Sequence, residues 1–159
     1  MDNLQVEHAL SVDKFTRRCF LGVFPANGLP PGPVPWPCAL VVTSRSVPSI
    51  GTNHWLAVYI TPQGEGEIFD PLGRPPDHPM LRAFIRRNTV RALFCRARVQ
   101  SEASTVCGHH VLYFLLHRCR GLHPDYIVDH YAADTQTNDA FVHEFIRPLL
   151  IPPADCPFI

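Results

Sequence analysis

A single domain mixing strands and helices is what this chain predicts, and three observations carry the prediction. Short apolar runs of strand length stand at residues 39–42, 55–60 and 66–70, set off by turn-forming residues. The stretch 106–116 is longer and apolar almost throughout, which suits a buried helix. Residues 139–150 place Phe141, Val142, Phe145, Ile146 and Leu149 at helical spacing. At 159 residues the chain forms one domain, 1–159, large enough for a core without staples. Its 46% hydrophobic and 18% charged residues fit a compact globule, not a disordered chain.

The elements follow in order. Residues 4–19 read as one or two short helices, with Leu4, Val6, Ala9 and Leu10, then Val12, Phe15 and Cys19, broken near Ser11 and Lys14. Six of the thirteen residues 25–37 are proline, which excludes helix and central strand and leaves an extended connection. The continuous apolar run 39–42 has the form of a strand covered on both faces, and 44–53 reads as loop. Residues 55–60 and 66–70 form a hairpin around Pro62 and Gly64 or Gly66. A helix over 80–87 shows Leu81, Phe84 and Ile85 on one face. In 90–99, Cys95, Ala97 and Val99 alternate with Arg96 and Arg98, a strand buried on one side. Pro124, Asp129 and residues 134–138 read as loop, and the last helix stops before Pro152.

No apolar run reaches the roughly eighteen residues of a membrane span, and Met1-Asp2-Asn3 opens no signal pattern. The expectation is an intracellular protein. The six cysteines have no CxxC spacing, so free thiols in a reducing compartment are expected and a structural zinc site is not. Cys107, His109, His110, His117 and Cys119 fall within thirteen residues, but no His pair at i,i+4 with a Glu accompanies them. They read as packed or solvated side chains, and no metal is expected. Net charge is zero, yet Arg82, Arg86, Arg87, Arg91, Arg96 and Arg98 follow one another without an acid. Two readings fit them: a solvated face, or a track for a DNA backbone or acidic partner.

Chemistry concentrates at Cys107. A thiol at the start of the 106–116 helix sits where backbone N–H groups and the helix dipole favour the thiolate, which is the nucleophile. Gly108 beside it would let a substrate carbonyl approach the backbone. A hairpin centred near Pro62 sets His54 opposite Asp70, close enough for the carboxylate to orient the ring. Glu67, at an odd offset from Asp70, points to the other face. Gln100 ends a strand seven residues before Cys107 and can offer its amide to an oxyanion. Trp55 either shields the His54 ring or is a core aromatic.

These residues, ordered as Gly51-Thr52-Asn53-His54-Trp55, Phe69-Asp70-Pro71-Leu72-Gly73 and Gln100 through Cys107-Gly108, resemble the adenovirus-type cysteine endopeptidases. The SUMO-deconjugating proteases are more distant relatives. The likeness covers roughly residues 15–150 and extends to Phe20-Leu21-Gly22 and Cys38-Ala39-Leu40-Val41-Val42. It implies an α+β fold: a mixed sheet of about five strands with the nucleophile-bearing helix packed against it. It further implies His54 as general base, Asp70 as its orienter, Gln100 as oxyanion donor and Cys107 as nucleophile, with Trp55 and Gly108 near the substrate. The activity implied is a monomeric protease that cuts viral precursor proteins at Gly-containing sites, in a host nucleus or virion. The chemistry itself needs no cofactor. Family members are stimulated by DNA and by a disulfide-linked viral peptide; here DNA would fall to the six arginines, while Cys95 lies off the peptide-linking offset. A deconjugase for ubiquitin-like modifiers and a non-catalytic virion or nucleic-acid-binding component are the alternatives.

Overall fold

The computed structural model describes residues 1–44 and 54–150. The expected loop after Ser44, the Gly51-Thr52-Asn53 part of the histidine motif and the chain after Leu150 lie outside the described residues. Five strands form one mixed sheet in the order β1 (Phe20–Pro25), β2 (Cys38–Ser44), β3 (His54–Ile60), β4 (Glu65–Phe69) and β5 (Arg91–Cys95). The outer pairs β1–β2 and β4–β5 are parallel, and the inner pairs are antiparallel. β1 is a strand without an alternation signal in the sequence, since Gly22 and Pro25 interrupt it.

Side chains alternate across the central strands, and both faces are covered. Ala39, Val41, Trp55, Ala57, Tyr59 and Phe69 enter one core with α1 (Asn3–Val12), α3 (Cys107–Arg118) and α5 (Thr135–Leu150). Cys38, Leu40, Val42, Leu56, Val58, Ile60 and Ile68 face the other way, onto Leu81, Phe84 and Ile85 of α2 (Pro79–Asn88). Two covered faces explain why β2 reads as an unbroken apolar run. The prolines between β1 and β2 are tied down by Asn88, whose Oδ1 accepts from Val34 N–H and whose carbonyl accepts from the Trp36 indole, both at 2.9 Å. Trp36 then lies over Gly64, where a Cβ would come within 2.3 Å of the indole.

Two expectations need correction. Pro124, Asp129 and residues 135–138 are not loop: Pro124–Asp129 forms α4, begun by proline at its first turn with His123 Nδ1 accepting from Asp125 N–H. Asp134 accepts from the N–H groups of Gln136 and Thr137 and starts α5 four residues before the amphipathic pattern shows. The strand over 90–99 ends at Cys95. Burial still alternates beyond it, but Val99 and Gln100 turn their N–H groups to a single carbonyl, Pro71 O, at 2.9 and 3.0 Å instead of to a neighbouring strand. The apolar stripe of α5 is also divided: Val142 and Ile146 are buried, whereas Phe141, Phe145 and Leu149 stay more than 40% exposed.

Asn138 on α5 joins the helical layer to the segment before Cys107. Its Nδ2 donates to Val99 O (3.1 Å) and Ala132 O (3.0 Å), while its Oδ1 accepts from Ala132 N–H (2.8 Å). The side chain is 2% exposed. Asn138→Ala strips three backbone groups of their partner, among them the buried Val99 carbonyl, and is expected to cost about 1–3 kcal/mol, read as a lowered midpoint in urea unfolding at unchanged m-value.

Candidate active site

The site forms where β3 begins and β4 ends, which antiparallel pairing brings to the same end of the sheet. His54 is the first residue of β3, and Asp70 directly follows β4. Their contact is 2.8 Å, from His54 Nε2 to Asp70 Oδ2. The register differs from the expected one. The pairs Ala57↔Phe69 and Ile60↔Gly66 centre the hairpin on Gln63, not Pro62. Continued by one step, the ladder would set Leu56 opposite Asp70, so His54 and Asp70 meet diagonally.

Asp70 reaches across because the chain turns there. Its Oδ1 accepts from Leu72 N–H at 2.8 Å, and its carbonyl accepts from Gly73 N–H at 2.8 Å. Gly73 has φ +66, and a Cβ on it would stand 2.8 Å from Arg96 O. Glycine therefore lets the 96–98 segment lie against the turn. Pro71 O, within the same turn, holds the N–H of Gln100. One tight turn thus fixes both the carboxylate and the backbone of the candidate oxyanion donor.

Cys107 is the first residue of α3 and is 8% exposed. Its thiol hydrogen-bonds the His54 ring. With Nε2 taken by Asp70, Nδ1 is the nitrogen left for sulfur. Burial works against the charged ring, but hydrogen bonds to Asp70 and Cys107, and negative charge on both, outweigh it and push the His54 pKa up to about 9. A protonated imidazole thus stands beside the Cys107 thiol at the start of α3.

Gln100 is 2% exposed, with Nε2 donating to Ser104 O at 3.0 Å. Its Oε1 has no hydrogen-bond partner among the described residues. Ser104 thus holds the amide by its nitrogen, through its carbonyl and, at 3.4 Å, its hydroxyl oxygen. Around Gln100 the backbone is clamped. Asn138 holds Val99 O, and Asp139 Oδ2 accepts from both the N–H and the hydroxyl of Ser101. The other carboxylate oxygen of Asp139 takes the fully buried His110, Nε2 to Oδ1 at 2.9 Å. Asn138 and Asp139 were missed in the sequence because their partners lie 38 or 39 residues upstream, a distance no local pattern encodes.

The remaining candidates separate. Trp55 is core, 5% exposed, and its ring occupies the place next to Gly108: a Cβ there would stand 2.8 Å from the indole and 2.9 Å from Met1 sulfur. Close approach to Gly108 is therefore made by Trp55 and Met1. Glu67 points away from His54, where Arg118 engages it through Nε (2.6 Å) and Nη2 (2.9 Å). His110 and His117 are bonded to Asp139 and Tyr131 and to Tyr113 O. Burial, with His143, the N-terminal ammonium and His110 nearby, lowers His109 to about 4. The six arginines are all exposed. Arg82, Arg86 and Arg87 ride on α2, Arg91 on β5 pairs with Glu65, and Arg98 faces Glu102. Among the described residues no helix is long and apolar enough to cross a membrane.

No protein-family model and no curated protein matches the chain. Solved structures do. The ASFV pS273R protease aligns over 89% of this chain and 66% of its own, with a TM-score of 0.60 and 16% identity. The Chlamydia trachomatis effector Cdu1, solved bound to ubiquitin, aligns over 91% of this chain and 75% of its own, with a TM-score of 0.53 and 16% identity. The central domain of the uncharacterized Lpg1148 protein of Legionella pneumophila covers 94% and 97%, with a TM-score of 0.52 and 12% identity. This chain spans slightly less than two thirds of the ASFV protease. At these identities the likeness establishes the fold alone: an α+β arrangement with a five-stranded mixed sheet, shared with these structures.

Proposed function

We propose that the chain is a cysteine protease that cleaves protein substrates through Cys107. The observation that carries this reading is the continuous contact Asp70–His54–Cys107, with the cysteine at the first turn of α3. In the proposed cycle, the Cys107 thiolate attacks the scissile carbonyl carbon. The amide N–H of Gln100 stabilises the resulting oxyanion. His54, held by Asp70, gives its proton to the leaving amine as the C–N bond breaks, forming the acyl-enzyme. Water then attacks the thioester while His54 takes its proton, releasing the carboxylate and free Cys107.

The finer reading is an endopeptidase acting at Gly-containing sites in viral precursors. It rests on the resemblance of the His, Asp, Gln and Cys motifs to adenovirus-type enzymes and on the fold shared with the ASFV protease. A second reading, a deconjugase for ubiquitin-like modifiers, is favoured by the fold shared with Cdu1, which was solved with ubiquitin. A probe ending in the Gly-Gly tail of a ubiquitin-like protein separates them: a deconjugase forms a covalent adduct at Cys107, whereas the endopeptidase prefers internal glycine sites in peptides.

The protease reading is tested without a known substrate by mapping iodoacetamide labelling at about pH 6, where ordinary thiols are protonated. Cys107 is expected to label fastest, and His54→Ala to slow it at least about tenfold. If Cys107 reacts no faster than the other cysteines, with and without added duplex DNA, the catalytic reading fails. Gln100→Ala should leave this labelling intact yet lower kcat/KM by about 10²–10³-fold, the cost of losing one oxyanion donor. Proton linkage gives a further check. His54 has an ordinary value of 6.5 and a folded value of about 9. Its stabilising contribution is therefore full below pH 6.5 and lost as pH rises through about 9. The unfolding free energy of the wild type should fall across that window relative to His54→Ala, and peptide cleavage should decline above about pH 9 as the leaving-group proton is lost.

A further inference from the structure

The sulfurs of Cys19 and Cys119 lie 3.5 Å apart, although one hundred residues separate them in the chain. Both are held in place from several sides. Cys19 ends the short 3-10 turn Thr16–Arg18: its N–H donates to Thr16 O (3.0 Å), and its carbonyl accepts from Ala39 N–H (2.9 Å). Cys119 caps α3, with its N–H donating to Leu115 O at 2.9 Å. Beside it Arg120 pairs with Asp13 and lies over the Phe15 ring, 4.8 Å from its centroid. The 13–19 and 118–120 segments are thereby clasped together around the two thiols. Both cysteines are only half-buried, unlike Cys38 and Cys107.

We propose that Cys19 and Cys119 form a dithiol modification site that closes to an intramolecular disulfide on reaction with small disulfides of the glutathione type. Closure brings the sulfurs nearer by about 1.5 Å to reach bonding distance. Each cysteine sits at the end of an element, where rotation of the side chain and a small backbone shift can supply that movement.

The two thiols have different parts. A hydrogen bond from Cys119 lowers the Cys19 pKa against the opposing effect of burial, and the same bond, with burial, raises Cys119. Cys19 is thus the attacking thiolate. It bonds to one sulfur of the small disulfide and expels the other half as a thiolate. Cys119 then gives its proton to solvent base and attacks the Cys19 sulfur, expelling the second half as a thiolate. The net change is two protein thiols oxidised to one disulfide and one glutathione disulfide reduced to two glutathiones. The bond would fasten the C-terminal end of the nucleophile helix to the start of β1.

The test uses the reduced full chain under native conditions, treated with glutathione disulfide, alkylated, digested without reduction and mapped by mass spectrometry. The expected result is a Cys19–Cys119 linked peptide, loss of two free thiols per chain, and a melting temperature raised on the order of 5 °C that returns with dithiothreitol. Cys119→Ser should stop at a glutathione adduct on Cys19. No loss of thiols, a link from Cys19 to the buried Cys38, or chains joined to one another would each overturn the proposal. Should Cys119→Ser fail to fold, the wild-type map alone decides the outcome. The result is independent of whether Cys107 is catalytic.

Discussion

The turn from Asp70 to Gly73 is the constraint on which the candidate site depends, because three separate demands meet in its four residues. The Asp70 carboxylate divides between the Leu72 N–H and the His54 ring. The Pro71 carbonyl accepts both Val99 and Gln100. Gly73 lies against the backbone of Arg96–Arg98 with no room for a side chain. A carboxylate held by a backbone N–H on its own turn cannot swing away from the histidine, so ring orientation follows from backbone geometry. Proline at the second position gives up a donor the turn does not need and leaves a carbonyl free to take two.

Behind this turn, α5 does for the Gln100 segment what the turn does for His54. Asn138 and Asp139 grip the residues on either side of Gln100, and the same Asp139 holds His110 on α3. The segment between β5 and α3 thus has few ladder bonds of its own and is positioned by two side chains from a distant helix. Burial lowers the His110 pKa against the opposing hydrogen bond and charge of Asp139, so the ring behaves as a packed polar group in a satisfied network.

Charge is handled in the same manner at the far end of α3. Glu67, on the face turned toward α3, is met by Arg118, whose guanidinium also lies over Tyr59 at 4.7 Å. A fully bonded pair of this kind avoids the several kcal/mol that an unpartnered buried carboxylate would cost. It also turns Glu67 away from His54, which leaves Asp70 as the carboxylate bonded to that ring.

The sequence by itself determined the strands that run apolar, the helix beginning at Cys107, and the pairing of His54 with Asp70. Each is a local pattern or a short hairpin, where periodicity of two or 3.6 residues carries the information. It also placed Gln100 ahead of Cys107 by spacing. Tertiary structure decided the rest. The turn centre moved from Pro62 to Gln63, because register depends on how the hairpin closes and not on where its proline stands. The start of α5 and all of α4 came from polar caps at Asp134 and His123 that apolar periodicity does not register. The clamp of Asn138 and Asp139 and the meeting of Cys19 with Cys119 join residues 38 to 100 positions apart. Contacts of that length are made by packing whole elements together, and no local pattern in the chain records them.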